Sequence, residues 1–228
     1  MHIGIVPARE GSVRFPNKNR AVLDGKPLWL IAVEKLSKYM TMVYVNTDDD
    51  IILDAAQWHE CEPYVRPKKL RDGLSYRIDD VLIEMAMSLG LSSSDCLHLL
   101  QPTNPLIKEE TILKCVAILN TKRKFDSVQA VTQVSNIYHE YSQRKMISDC
   151  ILFAHPKARK KCFNSQLKPK RYVFGGYVAC RVESLLKHKD IWGKISCPIE
   201  VSNLEILDID TREDLDHVQA IITTGINV

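Results

Sequence analysis

Short apolar runs rich in β-branched residues alternate with segments of helical periodicity from residue 2 to residue 134. The runs predict strands, and the segments in which apolar side chains recur every three to four residues predict helices. The alternation is typical of βαβ units and predicts a mostly parallel sheet covered by helices. We expect strands at 2–7, 41–47, 63–65, 96–100 and 126–134, and helices at 27–39, 50–59, 77–89 and 109–120.

The pattern changes after Val134. Residues 136–170 are polar, basic and aperiodic, which predicts an excursion from the sheet, either a hairpin or an arm that contacts another copy. No repeat or low-complexity linker is present, so we expect a single domain, 1–228, with 136–170 as an inserted arm or dimerisation subdomain. The alternation resumes with a strand at 172–180, a helix from Glu183, a strand at 197–201 and a helix at 211–222.

The composition is that of an ordinary folded globule. Of 228 residues, 45% are hydrophobic and 26% charged, and no apolar run approaches the roughly 18 residues of a membrane-spanning helix. The first residues predict a strand and lack the features of a signal peptide, so we expect a cytoplasmic protein without a membrane partner. The seven cysteines are scattered without a C-x-x-C pair, which favours reduced, mostly buried thiols over disulfides or a zinc site.

The net charge of +3 is unevenly distributed. Cations cluster at 157–161 and again at 168–171, and such a cluster is able to hold phosphate, RNA or a polyanionic substrate. A solvated loop is the commoner explanation, and the cluster lacks the interleaved aromatic residues of a nucleic-acid module. We therefore expect no nucleic-acid partner.

Three polar loops follow predicted strands, at 8–20, 47–50 and 101–105. Ligands of open α/β sheets lie beyond the carboxyl ends of the strands, so these loops are candidates for a binding site. The first loop has one glycine and matches neither common phosphate-binding motif. Its three arginines and one lysine suit a polyphosphate, although charge alone favours a solvated basic loop. The cations are Arg9, Arg14, Lys18 and Arg20.

Sequence motifs along the whole chain resemble those of one enzyme family. Residues 7–19, P-A-R-E-G-S-V-R-F-P-N-K-N, are similar to the P-A-R-G-G-S-K-x-[IL]-P-x-K-N loop of the acylneuraminate cytidylyltransferases, which make CMP-activated sialic and related nonulosonic acids. The resemblance implies a three-layer, Rossmann-like nucleotidyltransferase fold. Further matches occur in family order: V-N-T-D at 45–48, V-R-P at 65–67, L-L-Q-P-T-N-P-L at 99–106 and D-I-D-T-R-E-D-L at 208–215.

The same resemblance implies a reaction and its residues. The anomeric hydroxyl of a sugar acid attacks the α-phosphate of CTP, and pyrophosphate leaves. The implied partners are CTP, a sugar acid and a second copy of the chain in a homodimer. The implied catalytic residues are Arg9, Lys18, Asp208 and Asp210, with the two aspartates holding Mg²⁺. The implied nucleotide-binding residues are Ala8, Arg9, Gly11, Ser12, Arg14, Asn19, Arg66, Ser75 and Gln101, of which Gln101 reads the base.

The spacing of Asp208 and Asp210 supports the metal assignment independently. Alternating positions on a strand place both carboxylates on one face, as Mg²⁺ shared with substrate phosphates requires. Thr211 and Asp214 also match a capping box, so the alternative is that this segment only begins a helix. A cap leaves Asp208 unexplained, and we favour the metal site.

The chain departs from the family pattern at several positions. Val13 stands where the family usually carries lysine, and Arg14 is the candidate to restore that charge. The family's arginine pair before the strand at 172–180 is missing, and Gly175 replaces an asparagine. Val13 and the missing arginine pair leave open a non-catalytic nucleotide-binding paralogue. A 3-deoxy-manno-octulosonate acceptor is another alternative, because the synthetases of that sugar share the fold, and another nucleotide is open because Gln101 suits a related base as well. The candidate sugar-binding residues are Gln166, Lys170, Arg171 and Tyr177.

Overall fold

The computed structural model describes residues 1–72 and 75–225, so residues 73–74 and 226–228 of the expected domain lie outside the described part. The strands of this part are β1 (His2–Pro7), β2 (Val22–Leu23), β3 (Lys26–Pro27), β4 (Met42–Thr47), β5 (Glu62–Val65), β6 (Cys96–Leu100), β7 (Ser127–Gln133), β8 (Arg144–Ile147), β9 (Cys150–Phe153), β10 (Tyr172–Arg181) and β11 (Ser196–Glu200). The helices are α1 (Leu28–Ser37), α2 (Asp50–Ala56), α3 (Ile78–Ser88), α4 (Glu109–Thr121), α5 (Pro156–Lys161), α6 (Val182–His188) and α7 (Arg212–Thr224).

One sheet dominates the structure. Within the described residues it has seven strands in the order β11-β7-β10-β6-β1-β4-β5. All neighbours are parallel except β10, which runs antiparallel to both β6 and β7. The predicted mostly parallel α/β sheet is confirmed. The direction of β10 was not predicted, because a strand buried on both faces carries no pattern that reports its orientation.

Alternate residues of the central strands enter two separate cores. On β1, Val6 packs with α1 and α4, whereas Ile3 and Ile5 pack with α3 and α6 on the opposite face. The period of two along a strand produces this division. Helices therefore cover both faces, and the arrangement has the expected three layers.

Several boundaries differ from the sequence predictions. The second predicted helix ends at Ala56 rather than at residue 59, and the short pair β2–β3 was not predicted. The last helix begins after Thr211, whose Oγ1 accepts a hydrogen bond from Asp214 N at 3.2 Å while Asp214 Oδ2 accepts one from Thr211 N at 2.8 Å. The predicted capping box is thus present.

Residues 136–170, which we call the arm, lie apart from the main sheet. The strands β8 and β9 pair with each other as a separate two-stranded sheet, and α5 follows them. Of the arm residues, all of which are described, His139 alone is buried.

The cysteine expectation holds for the described thiols, which are free and for the larger part buried. Cys61, Cys96, Cys115 and Cys180 are buried, whereas Cys150 is exposed. No helix in the described ranges has the length and apolar character needed to cross a membrane.

Candidate active site

The carboxyl ends of β1, β4 and β6 lie side by side, because these strands are parallel neighbours. The three polar loops singled out by the sequence therefore meet at one edge of the sheet. The loops at 8–20 and 101–105 line a cavity of about 320 Å³ there, whereas none of its described lining residues comes from 47–50. It is lined by Pro7, Arg9, Ser12, Lys18, Asn19, Arg66, Leu70, Tyr76, Arg77, Ile78, Val81, Gln101, Pro102, Thr103, Asp208 and Asp210.

The opening loop, residues 8–20, is fixed by hydrogen bonds to its backbone near its beginning and by one that joins its beginning to its end. Ala8 is buried, and its carbonyl accepts a hydrogen bond from Thr47 Oγ1 at 2.6 Å. Gly11 has a φ of +77°, a left-handed conformation that favours glycine. Asn19 Nδ2 donates to Arg9 O at 2.9 Å and so ties the end of the loop to its beginning. Ala8 and Gly11, two of the expected nucleotide-binding residues, thus set the conformation of the loop.

Asp210 is held by two cations of the opening loop. Lys18 Nζ donates to Asp210 Oδ1 at 2.9 Å, and Arg14 Nη2 lies 2.8 Å from Asp210 Oδ2. The Lys18 side chain is 16% exposed and that of Arg14 is 69% exposed. The hydrogen bond from Lys18, assisted by the charges of Lys18 and Arg14, lowers the pKa of Asp210. Arg14 therefore supplies a cation beside the position where Val13, itself 93% exposed, replaces the family's lysine.

Asp208 has the opposite environment. Part of its surface meets solvent at the rim of the cavity, but the loss of water from the rest raises its pKa. The charge of Asp210 adds to this rise, while a hydrogen bond from Thr103 opposes it. The two carboxylates therefore differ: Asp210 is stabilised as an anion, and Asp208 gains from any further cation placed beside it.

The segment carrying these two aspartates is not a strand, which corrects the sequence prediction. Ile209 is buried between them, and its backbone N donates to Thr103 O at 2.8 Å. This contact with the loop after β6, rather than pairing within the sheet, is what brings both aspartates to the wall of the cavity.

Arg66 lines the cavity and is hydrogen-bonded to a residue of β4. Its side chain is buried, and Nε donates to Asn46 Oδ1 at 2.6 Å. Burial lowers the pKa of Arg66 to about 10, against the opposing charge of Asp48. The guanidinium therefore remains charged at neutral pH and is fixed in direction.

Some expected site residues lie outside the cavity. Ser75 is exposed, and its hydroxyl donates to Asp72. The expected sugar contact of Tyr177 is corrected: the side chain is completely buried, and its hydroxyl lies 2.6 Å from His98 Nδ1.

The other three candidate sugar ligands, Gln166, Lys170 and Arg171, line a separate cleft of about 150 Å³ beside His139. Arg171 Nε donates there to Glu140 Oε1 at 2.6 Å. Within the described chain, these residues are not brought to the cavity that holds the two aspartates.

Several residues that line the cavity were not predicted from the sequence. Thr103 lies inside the matched L-L-Q-P-T motif, so its position was a usable signal. Tyr76 and Arg77 immediately precede α3 and carried no motif. Arg77 Nη2 is paired with Asp79 at 2.6 Å and with Asp190 at 3.3 Å. Arg77 therefore adds a cation whose direction is set by two carboxylates.

The two aspartates fit a magnesium ion that is shared with a substrate. Across residues 1–72 and 75–225, no cluster of three or more histidine, cysteine, aspartate or glutamate side chains is placed to hold a metal. Mg²⁺ is commonly bound through one or two carboxylates, with water and substrate phosphates completing its shell. Asp208 and Asp210 provide such a pair.

A family model described as cytidylyltransferase matches residues 3–222. The chain belongs to the cytidylyltransferase family. It is 27% identical over 220 residues to a CMP-N,N'-diacetyllegionaminic acid synthase of Legionella pneumophila, covering 93% of this chain and 92% of that protein. It is also 25% identical over 216 residues to an N-acylneuraminate cytidylyltransferase of Escherichia coli, covering 94% of this chain and 50% of that protein.

Other relatives in the family match only half of the chain. An 8-amino-3,8-dideoxy-manno-octulosonate cytidylyltransferase of Shewanella piezotolerans is 34% identical over 116 residues, which is 50% of this chain and 45% of that protein. The match to such relatives thus spans less than half of their length.

Solved structures support the nucleotidyltransferase fold. A CMP:2-keto-3-deoxy-manno-octonic acid synthetase complexed with CTP superposes with a TM-score of 0.71 at 15% identity, covering 99% of both chains. The bifunctional IspDF from Campylobacter jejuni superposes with a TM-score of 0.63 at 16% identity, covering 94% of this chain and 53% of that one. At these identities the likeness concerns the fold.

Proposed function

We propose that this protein is a Mg²⁺-dependent cytidylyltransferase that activates a nonulosonic acid with CTP. The anomeric hydroxyl of the sugar acid gives up its proton to water as its oxygen forms a bond to the α-phosphorus of CTP, the bond from that phosphorus to the bridging oxygen breaks, and pyrophosphate leaves. The observation that carries the proposal is the cavity at the carboxyl edge, which gathers Arg9, Lys18, Gln101 and the two aspartates.

Positioning and charge stabilisation do most of the work in such a transfer. Arg9 and Lys18 neutralise charge that grows on the α-phosphate and on the leaving pyrophosphate. Asp208 and Asp210 would hold Mg²⁺, which supplies further neutralisation of the phosphates when bound. Arg14 and Lys18 keep Asp210 ionised and aimed into the cavity.

The identity of the nucleotide is proposed from the residues that lie beside the opening loop. Gln101 lines the cavity, and its side chain offers both a donor and an acceptor to a base edge. Its backbone N donates to Gly176 O at 3.3 Å, so the residue is anchored from β10. Buried Arg66 adds a fixed cation on the other side. This combination supports CTP, the nucleotide in the family's name.

The acceptor class is proposed from the extent of the similarities. The legionaminic acid synthase aligns along nearly the whole chain, whereas the octulosonate enzymes align over half of it. The segments at 16–19 and 208–211 also resemble the nonulosonate enzymes. A 3-deoxy-manno-octulosonate acceptor is the alternative.

We further propose a homodimer formed through the arm, with the activity in the cytoplasm. Several apolar arm side chains are exposed although they belong to ordered strands, including Met146 at 81% and Ile151 at 65%. Exposed apolar side chains grouped in this way favour contact with another surface.

Pyrophosphate release tests the proposal. The purified full chain is assayed with each of four NTPs and with sialic, legionaminic, pseudaminic and 3-deoxy-manno-octulosonic acids, in Mg²⁺ and in chelator. We expect release with CTP, a nonulosonic acid and Mg²⁺. Release with the octulosonate alone would select the alternative acceptor. CTP binding without release in any combination would overturn the enzyme and favour a non-catalytic paralogue.

A further inference from the structure

The loop after β6 contacts the segment that carries the two aspartates through the backbone of Thr103 and through the buried side-chain amide of Asn104. We propose that Asn104 is a positioning residue for the transfer: it holds the segment 206–210 at the distance from Gln101 that the reaction requires. This inference rests on the proposed function, since it assigns a role within that site.

Asn104 donates to the backbone just before Asp208. Its side chain is buried, and Nδ2 donates to Leu207 O at 3.2 Å and to Ile206 O at 3.4 Å. On the other side of Asp208, Ile209 N donates to Thr103 O at 2.8 Å. The chain around Asp208 is therefore held on both sides by two consecutive residues of one loop.

The same amide packs against the strand that anchors Gln101. Gly176 has a φ of +78°, and a Cβ atom there would lie 2.0 Å from Asn104 Oδ1. The carbonyl of Gly176 accepts the hydrogen bond from Gln101 N. Asn104 thus occupies the space that the glycine leaves free, and it links the position of Gln101 to that of Asp208.

A shift of the aspartate segment changes the geometry of the reacting phosphates more than the affinity for the nucleotide. In the proposed function the nucleotide is also held by Arg66 and Gln101, which lie outside this segment, whereas both aspartates belong to it. A displacement of about 1 Å at a reacting centre costs on the order of 100-fold in rate. The proposal therefore predicts a loss in kcat without an equal loss in CTP binding.

Asn104→Asp and Asn104→Ser test the proposal, with Asn203→Ser as a matched control. Asp keeps the size of the side chain but places an oxygen against two carbonyls, and Ser is too short to reach them. Asn203 accepts a hydrogen bond from Thr132 outside the cavity, so its variant controls for the loss of a side-chain amide.

Three measurements are made on each full-length variant: kcat for pyrophosphate release, the Kd of CTP by calorimetry, and amide hydrogen exchange of residues 205–210. For both Asn104 variants we expect kcat to fall about 10- to 100-fold, with the Kd of CTP changed less than about threefold. Exchange at Ile209 should accelerate while exchange in the central strands remains as in the wild type. The control should match the wild type in all three.

Unchanged kcat and unchanged exchange at 205–210 in Asn104→Asp would overturn the proposal. Acceleration of exchange throughout the sheet would also overturn it, because Asn104 would then support the general fold. The failure of the proposed function is distinguishable, since it would remove pyrophosphate release from the wild type. Exchange and CTP-dependent Mn²⁺ binding, measured by electron paramagnetic resonance, still test the positioning role in that case.

Discussion

The cavity and the arm are both rich in cations, yet the structure holds them in different ways. In the cavity, Lys18 is paired with Asp210 and Arg66 is buried against Asn46. In the arm, the three lysines of α5 are exposed to solvent, Arg159 lies over the ring of Phe153, and several apolar side chains of β8 and β9 are exposed. These two cations of the cavity are directed by the side chains that accept their hydrogen bonds, while the arm presents a surface that the single chain leaves uncovered.

This difference shows which charges are organised in advance. A cation with a buried partner loses little freedom when a phosphate binds, because its direction is already set. A solvated cation must be ordered at that moment, at a cost in side-chain entropy. We therefore expect substitutions in the cavity to change the chemistry and substitutions in the arm to change association.

The largest effect is expected for Asp210→Ala. Removal of this carboxylate takes away one of two proposed metal ligands and leaves Lys18 and Arg14 without their partner. We expect kcat to fall by about 100-fold or more, with the fold retained. Pyrophosphate release and circular dichroism measure the two quantities, and unchanged turnover would exclude a metal-binding role.

A smaller effect is expected for the two cations that contact Asp210. Lys18→Ala should reduce kcat/KM by about 10- to 100-fold, because Lys18 is the less exposed cation and donates from within the cavity. Arg14→Ala should cost less, since that side chain is 69% exposed and screened by water.

The role of Arg14 as a replacement for the missing lysine has its own test. Val13→Lys in the Arg14→Ala background should recover part of the lost kcat/KM, because it restores one cation to the same loop. Val13→Glu in that background is the matched control and should recover none. Equal activity of the two double variants would show that the charge at this end of the loop is not used.

An effect on association, rather than on the cavity, is expected for Ile151→Asp. This apolar strand residue is 65% exposed, so a carboxylate there is tolerated by the single chain and opposed by an apolar interface. Light scattering should show a monomer in place of the proposed dimer, while the Kd of CTP remains within about threefold. Asp149→Asn in the adjacent turn serves as the control, and a dimer retained by Ile151→Asp would exclude this face of the arm.

The smallest effect is the pH dependence of stability contributed by His98. Burial, followed by the nearby charge of His2, lowers the pKa of His98 well below its usual value of about 6.5. The unfolded chain then binds a proton that the folded protein does not, so the free energy of unfolding falls as the pH drops below about 6.5 and continues to fall until the folded pKa is reached.

His98 contributes a slope of at most about 1.4 kcal/mol per pH unit in this window. Urea unfolding of the wild type and of His98→Gln between pH 7.5 and pH 5.5 measures it. The variant should be less stable at pH 7.5 and should show a smaller slope. Equal slopes would mean that His98 does not contribute.

Much of the cavity was predictable because its residues lie in short segments next to strands. Arg9, Lys18 and Gln101 follow β1 and β6, and neighbouring parallel strands bring their carboxyl ends together. The places of Tyr177 and Arg77 were not predictable in this way. Tyr177 belongs to a strand that is buried on both faces, so its sequence pattern does not indicate which residue its hydroxyl contacts. The direction of the Arg77 side chain depends on Asp190, which is distant in the chain.

The sequence by itself determined the alternation of strands and helices, the polar loops at the strand ends and the cap of the last helix. These features depend on neighbours within a few residues, and local periodicity reports them. Only the tertiary structure decided the direction of β10, the hold of Asn104 on the aspartate segment and the pairing of Arg14 with Asp210. Each joins residues far apart in the chain, and such contacts depend on strand order and close packing, which no local pattern encodes.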